Sequence, residues 1–280
     1  MISRYIKGLV NQSIILWVSL MLGLGVLTMS QAETSASLPT ILSSSDTSHY
    51  SIPKTSFLKR YESYAYILSA GAVVFAMDRD LNGLSQDRHL HGKIQDGFFN
   101  NVEYLGTRVP YLVGVPALVG AGLLFNNSKY IRTGGELAAG FLVVQGFTQT
   151  AKLTFGRKRP FQTDSPYQFF QGGTSFFSGH TSSAFTFATV VSKNFPKQNL
   201  SVLGIEREIP LVPILVYSVA GAVGLQRLYH NVHWASDVYV GALAGYGVGW
   251  LVVHFGNKVY LNSVAVIPSE PPMISVGFQY

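Results

Sequence analysis

Tyr229–Asp237, "YHNVHWASD", is the polar joint between two apolar stretches, 211–226 and 237–255. Its two histidines, His230 and His233, are three apart, and Asp237 lies four beyond the second. On a helix those spacings share one face, so all three side chains could converge. A metal site, a catalytic pair and an ordinary polar helix start all fit the stretch taken alone. What flanks it speaks for helices. Four more apolar segments precede this pair, at 62–77, 110–126, 134–151 and 180–193, each rich in Ala, Leu, Val and Gly. Lengths near 16 to 18 residues favour helices over strands. Pro110 and Pro210 stand at the start of two segments and Gly256 follows the end of another, as helix punctuation does.

Composition agrees. Of 280 residues, 48% are hydrophobic and 12% charged, against about 25% charged in ordinary soluble domains. Mean hydropathy is +0.26. The chain has no cysteine, which excludes disulfides, thiolate metal sites and a cysteine nucleophile. "MISRYIKG", the apolar run from Ser13 to Met29 and the small residues Ser30 and Ala32 predict a signal peptide over 1–32, cleaved after Ala32 or kept as an anchor. Residues 33–56 read as a Ser/Thr-rich linker, 57–257 as one helical domain, and 258–280 as a β-prone tail in which "PSEPP" separates the arms of a hairpin. Removing Arg4 and Lys7 from the 20 basic residues leaves 18 against 14 acidic, a scattered +4 that does not suggest nucleic acid. If all six segments crossed a membrane, the 18 would divide nine and nine, so charge sets no orientation. Segment three carries Gln145, Thr148, Gln149 and Thr150, which are costly in lipid. A compact bundle resting on a membrane and a set of spans both fit.

Three loops hold residues that an apolar bundle does not need. "KLTFGRKRP", Lys152–Pro160, puts four cations within eight residues after an apolar helix. They suit either a solvated helix end or an anion site, in which Arg159 offers a planar fork and Lys152 a point charge. "SFFSGHTSSAF" places Ser178, Gly179 and His180 at a helix start, where backbone N–H groups can receive an anion and a serine can equally serve as a plain cap. The opening joint, extended back to Arg227, adds a cation to His233 and Asp237. A carboxylate four residues on can fix the imidazole tautomer and leave the other nitrogen as base or nucleophile.

In order, these residues resemble the three-part signature of the type-two phosphatidic acid phosphatase superfamily, which also holds vanadium haloperoxidases. Lys152, Arg159 and Pro160 match K-x6-R-P. Ser178, Gly179 and His180 match P-S-G-H, with Phe177 in place of the proline. Arg227, His233 and Asp237 match S-R-x5-H-x3-D, with Gln226 in place of the serine. The resemblance covers roughly residues 62–255. It implies an all-α, six-helix bundle whose substrate is a phosphorylated lipid or a small phosphate ester, with no cofactor or metal. Lys152, Arg159, Ser178, Gly179 and Arg227 would bind the phosphoryl oxygens. His233 would attack phosphorus, oriented by Asp237, and His180 would protonate the leaving oxygen and then activate water. With an exported leader, the site would face the periplasm, in a soluble or membrane-associated protein.

The rivals leave more unexplained. A metal site of His230, His233 and Asp237 ignores three nearby cations that would repel a divalent ion. "DRDLNG" at Asp78–Gly83 begins like a calcium loop, but position twelve is His89 rather than Glu, so a polar loop is expected. Phe155, Phe161, Tyr167, Phe169, Phe170, Phe176 and Phe177 suit an acyl-chain groove or packing alike. Vanadate-dependent halide oxidation and a non-catalytic lipid-binding bundle are the alternatives of function. His230 matches nothing in the signature and is expected to be a bystander. Oligomeric state is not legible.

Overall fold

The computed structural model describes residues 54–202 and 205–263. In chain order they form α1 Lys54–Ala76, α2 Asp78–Ser85, α3 Lys93–Leu105, α4 Val109–Leu124, α5 Ser128–Phe155, α6 Gly179–Asn194, the strands β1 Gln198–Val202 and β2 Ile205–Ile209, α7 Leu211–Tyr229 and α8 Ala235–Ser263. Six of these helices stand where the apolar segments predict them. The expectation of six helices is nonetheless corrected to eight among the described residues. The additions, α2 and α3, lack a continuous apolar run. α2 is "DRDLNGLS", so the polar loop expected there is a helix. α3 buries Val102 and leaves Ile94 and Phe98, earlier on the helix, exposed.

The structure is therefore mostly helical with one small sheet. β1 and β2 form an antiparallel hairpin that pairs Gln198 with Ile209. It grows from "QNL", a stretch that reads as polar punctuation. The expected leader, nearly all of the linker and the tail beyond Ser263 lie outside the described residues, and with them the expected C-terminal hairpin. Gly256 does not end its helix, because α8 runs on to Ser263. A Cβ at Gly256 would come within 2.9 Å of the Glu136 carboxylate, so the glycine there serves close approach instead.

α6 lies at the centre and packs on α5, α7 and α8. Its buried face is small and hydroxylated: Thr181, Ser182, Ser183, Thr186 and Thr189. Buried hydroxyls need partners, and they find them across the helices. Thr186 donates to the Gly245 carbonyl at 3.1 Å, Ser182 pairs with Thr148 at 3.1 Å, and Thr189 with Tyr217 at 3.0 Å. Gly241, Gly245 and Gly249 bring α8 onto α6; a Cβ at 245 would stand 2.3 Å from the Ser182 carbonyl oxygen. Meanwhile Leu112, Leu124, Leu142, Phe147 and Leu153 point outward. Small polar residues inside and large apolar ones outside is how helices associate in lipid. By length and composition, Leu211–Tyr229 and Ala235–Gly256 are each apolar enough to cross a bilayer, and α3 with α4, bent by 52°, meets the same test as a pair. The joint between the first two is "YHNVHWASD".

Candidate active site

Each signature residue sits at a helix end, and local sequence explains why. Lys152 occupies the last turn of α5, which closes at Gly156 in the left-handed region (φ 46°). Only a residue without a side chain enters that region at little cost. The chain then turns, and the Gln162 side chain accepts from the Arg159 N–H at 2.9 Å. Ser178 caps α6; its hydroxyl oxygen accepts from the Thr181 N–H and, at 2.9 Å, from the Thr181 hydroxyl. It keeps its own O–H to donate. A Cβ added to Gly179 would lie 3.7 Å from Lys152 Nζ. The ammonium thus stands at the positive end of the α6 dipole, an arrangement that an anion between them would reconcile.

Arg227 ends α7. Asn231, also left-handed (φ 57°), folds the chain back so that the Val232 N–H donates to the Arg227 carbonyl at 3.2 Å. In the first turn of α8, the Asp237 carboxylate accepts from the Trp234 N–H at 3.0 Å, one half of a reciprocal helix cap. The Asp237 carbonyl accepts from the Ser178 N–H at 3.0 Å, which registers the second motif onto the third. His233 Nδ1 faces Asp237 Oδ2 at 3.6 Å, and the two residues are 3% and 0% exposed. That separation is longer than a hydrogen bond.

Among the residues of the site, two buried nitrogens, His233 Nδ1 and Arg159 Nε, have no hydrogen-bond partner. Burial holds His233 below its usual pKa against the pull of Asp237, with Arg159 and Lys152 adding to the depression. Its ring is therefore neutral at neutral pH, as a nucleophile must be. His180 is pushed down to about 4 by burial, then by Arg227 and His233. Burial and Arg159 also lower Lys152. The structure thus brings Lys152, Arg159, Ser178, Gly179, His180, Arg227, His233 and Asp237 to one place.

His230 goes elsewhere. Its Nδ1 lies 2.9 Å from Gln226 Nε2 and 4.0 Å from the Glu103 carboxylate. Gln226, the departure from the signature serine, also accepts from Arg227 Nε. Among the described residues no group of three or more His, Asp or Glu side chains is placed to hold a metal ion. The aromatics divide. Phe155, Phe169 and Phe176 line an apolar cavity of about 450 Å³ with Phe75 and Leu243; Phe161, Tyr167 and Phe170 are exposed, and Phe177 is buried.

Sequence reasoning missed four contacts of the site. Arg157, two residues before Arg159, is wholly buried and donates to Asp237 Oδ1 at 2.6 Å and Asp78 Oδ2 at 2.7 Å. Ser175 donates to Asp237 Oδ2 at 2.5 Å. Glu103 on α3 accepts from Arg227 Nη2 at 2.8 Å. Arg157 was visible only as one of four cations, with nothing in the spacing to say which one turns inward.

Residues 134–260 match the model of the PAP2 superfamily. The match places that region of the chain in this superfamily. A curated relative, the lipid A 1-phosphatase of Porphyromonas gingivalis, is 33% identical over 194 residues, which is 69% of this chain and 38% of the relative. The chain thus spans well under half of that protein's length. Among solved structures, the first transmembrane PAP2-type phosphatidylglycerolphosphate phosphatase from Bacillus subtilis is similar over 70% of this chain and 94% of its own, with a TM-score of 0.51 and 20% identity. Aquifex aeolicus LpxE is similar over 64% and 93%, with a TM-score of 0.44 and 23% identity. The Bacillus likeness establishes the PAP2 fold.

Proposed function

We propose that this PAP2 chain is a phosphoric ester hydrolase that removes phosphate from a phosphorylated lipid, or from a small ester, through a phosphohistidine on His233. The observation that carries the reading is a buried His233 backed by Asp237 and faced by Lys152, Arg159 and Arg227, of which only Arg227 meets a carboxylate among the described residues, that of the partly exposed Glu103. Lys152, Arg159, Arg227, the Ser178 hydroxyl and the Gly179 N–H would hold the three non-bridging oxygens and stabilise charge in the in-line transition state. His233 Nε2 would attack phosphorus as the ester oxygen leaves with a proton from His180. Water would then give its proton to His180 and attack the phosphohistidine, breaking the N–P bond and releasing phosphate. Asp237 would steady the charged ring between the two steps.

The apolar exterior, and two crossing-length helices whose joint is the site, favour a substrate at the surface of a bilayer. The name of the Porphyromonas relative favours a lipid-borne phosphate. The leader expected from the sequence would place the site in the periplasm. Purified in detergent, the full chain should release phosphate from p-nitrophenyl phosphate and from phosphatidic acid, be indifferent to EDTA and be inhibited by vanadate. His233→Ala should lower turnover by about a thousandfold or more and abolish an acid-labile phosphoprotein. Turnover lost to EDTA, or kept in His233→Ala, would overturn the reading.

A further inference from the structure

Arg157 and Asp78 belong to neither the nucleophile nor the phosphate cradle, yet both are completely buried, at a cost that only full pairing offsets. Their partners are unusually well determined. Arg157 Nη1 donates to Asp237 Oδ1 at 2.6 Å and to Ser236 Oγ at 2.8 Å, Nη2 to Asp78 Oδ2 at 2.7 Å, and Nε to the Pro166 carbonyl at 2.8 Å. Phe75, Phe169 and Trp234 surround the guanidinium, each ring centre within 5.5 Å. Asp78 also accepts from the Ser236 N–H at 2.8 Å and the Ser236 hydroxyl at 2.5 Å. The fork can neither rotate nor slide.

We infer that Asp78 and Arg157 are positioning residues for the proposed reaction, acting through Asp237 on His233. Two arguments carry this. The first is geometric: three donors fix Asp237, Arg157 on Oδ1 and Ser175 and the Trp234 N–H on Oδ2, so the carboxylate cannot turn away from His233, which Oδ2 faces. The second is charge. Arg157 alone would make a neutral pair with Asp237 and weaken its hold on a charged imidazole. Asp78 takes the opposite side of the guanidinium, so the three groups together carry one net negative charge. The helix junction at residue 78 thereby reports directly to the nucleophile.

The inference rests on the phosphatase reading, and its test separates the two. In Asp78→Asn, kcat for p-nitrophenyl phosphate should fall about 10- to 100-fold, as outer partners of a catalytic group typically cost, with KM nearly unchanged. Removing the negative charge lowers the His233 pKa, so the acid limb of kcat/KM should move about one unit lower. Asp78→Glu, which keeps the charge, should restore the limb. The same shift is read without turnover from the pH titration of the His233 ring by NMR. An inactive wild type would therefore strike the phosphatase reading alone. An unmoved His233 titration in Asp78→Asn overturns this inference. Should that variant fail to fold, Arg157→Lys retains the cation but cannot span both carboxylates; wild-type kcat in it would overturn the inference equally.

Discussion

The two flanks of the site are built on opposite plans. On one, His233 and Asp237 are 3% and 0% exposed, and Asp237 is bonded by Arg157, Ser175 and the Trp234 N–H. On the other, Arg227 is met by Glu103, whose side chain is 41% exposed, on a short helix whose outer face is apolar and exposed. The first flank is finished before substrate arrives, because rearranging buried charges costs several kcal/mol. The second is provisional. Glu103 occupies a guanidinium that a phosphate would need, and its carboxylate, unlike the buried Arg227, is open enough to turn to water when another anion takes its place. Such a site would keep its nucleophile fixed and let its entrance exchange one anion for another.

His180 stands between the flanks and is the sharpest place to break the comparison. It packs on the α3–α4 bend, where a Cβ at Gly106 would come within 2.9 Å of its own Cβ. With a pKa of about 4 in the free protein, it is a neutral imidazole at pH 7, without the second ring proton that an acid would give. The proton for the leaving oxygen must enter with a phosphate monoanion or be taken up on binding. The sign follows: kcat/KM should fall on the alkaline side as the ester loses its second proton, near pH 6 or somewhat above. His180→Ala should cost about 10²- to 10⁴-fold in kcat for an alkyl phosphate and distinctly less for p-nitrophenyl phosphate, whose leaving group needs no acid. Equal losses on the two substrates would assign His180 to structure instead.

How much of this was legible follows from what each contact depends on. Lys152, Arg159, His180, Arg227, His233 and Asp237 lie in short motifs, each ambiguous alone, and the resemblance to a family signature is what brings them forward as a set. The six long helices announce themselves as apolar runs. Arg157 meets Asp78 across 79 residues, Ser236 meets Asp78 across 158, and Glu103 meets Arg227 across 124. No local pattern encodes such pairings. α3 escaped for a related reason: its polar residues, Glu103 among them, interrupt any continuous apolar run. Gln226 looked like a defect in the third motif; the structure shows it touching both Arg227 and His230.

A smaller effect is expected at the open flank. Glu103→Gln keeps an oxygen that can accept from Arg227 but removes the charge that competes with phosphate. KM for p-nitrophenyl phosphate should fall about two- to fivefold, the equivalent of roughly 0.5–1 kcal/mol, with kcat within about twofold. Steady-state kinetics at low and moderate salt read this directly, and the gain should shrink as salt screens the carboxylate. A raised KM would mean that Glu103 aims Arg227 rather than competing for it, which would make this flank as finished as the other.

The smallest effect separates the two histidines of "YHNVHWASD". His230 caps the end of α7, its backbone N–H donating to the Gln226 carbonyl at 3.0 Å, and its ring Nδ1 accepts from Gln226 Nε2 at 2.9 Å. The backbone contact survives truncation to alanine, and Gln226 retains its link to Arg227. His230→Ala should therefore stay within about threefold of wild type in kcat and KM, since losing one half-exposed side-chain hydrogen bond costs about 0.5–1 kcal/mol. Nor should it displace the acid limb of the pH profile, because that limb belongs to His233. Three residues along, the ring is 3% exposed with an unpartnered Nδ1 turned to a carboxylate. If His230→Ala proved as damaging as His233→Ala, the buried flank would not be where the nucleophile sits, and the contrast between the flanks would lose its chemical meaning.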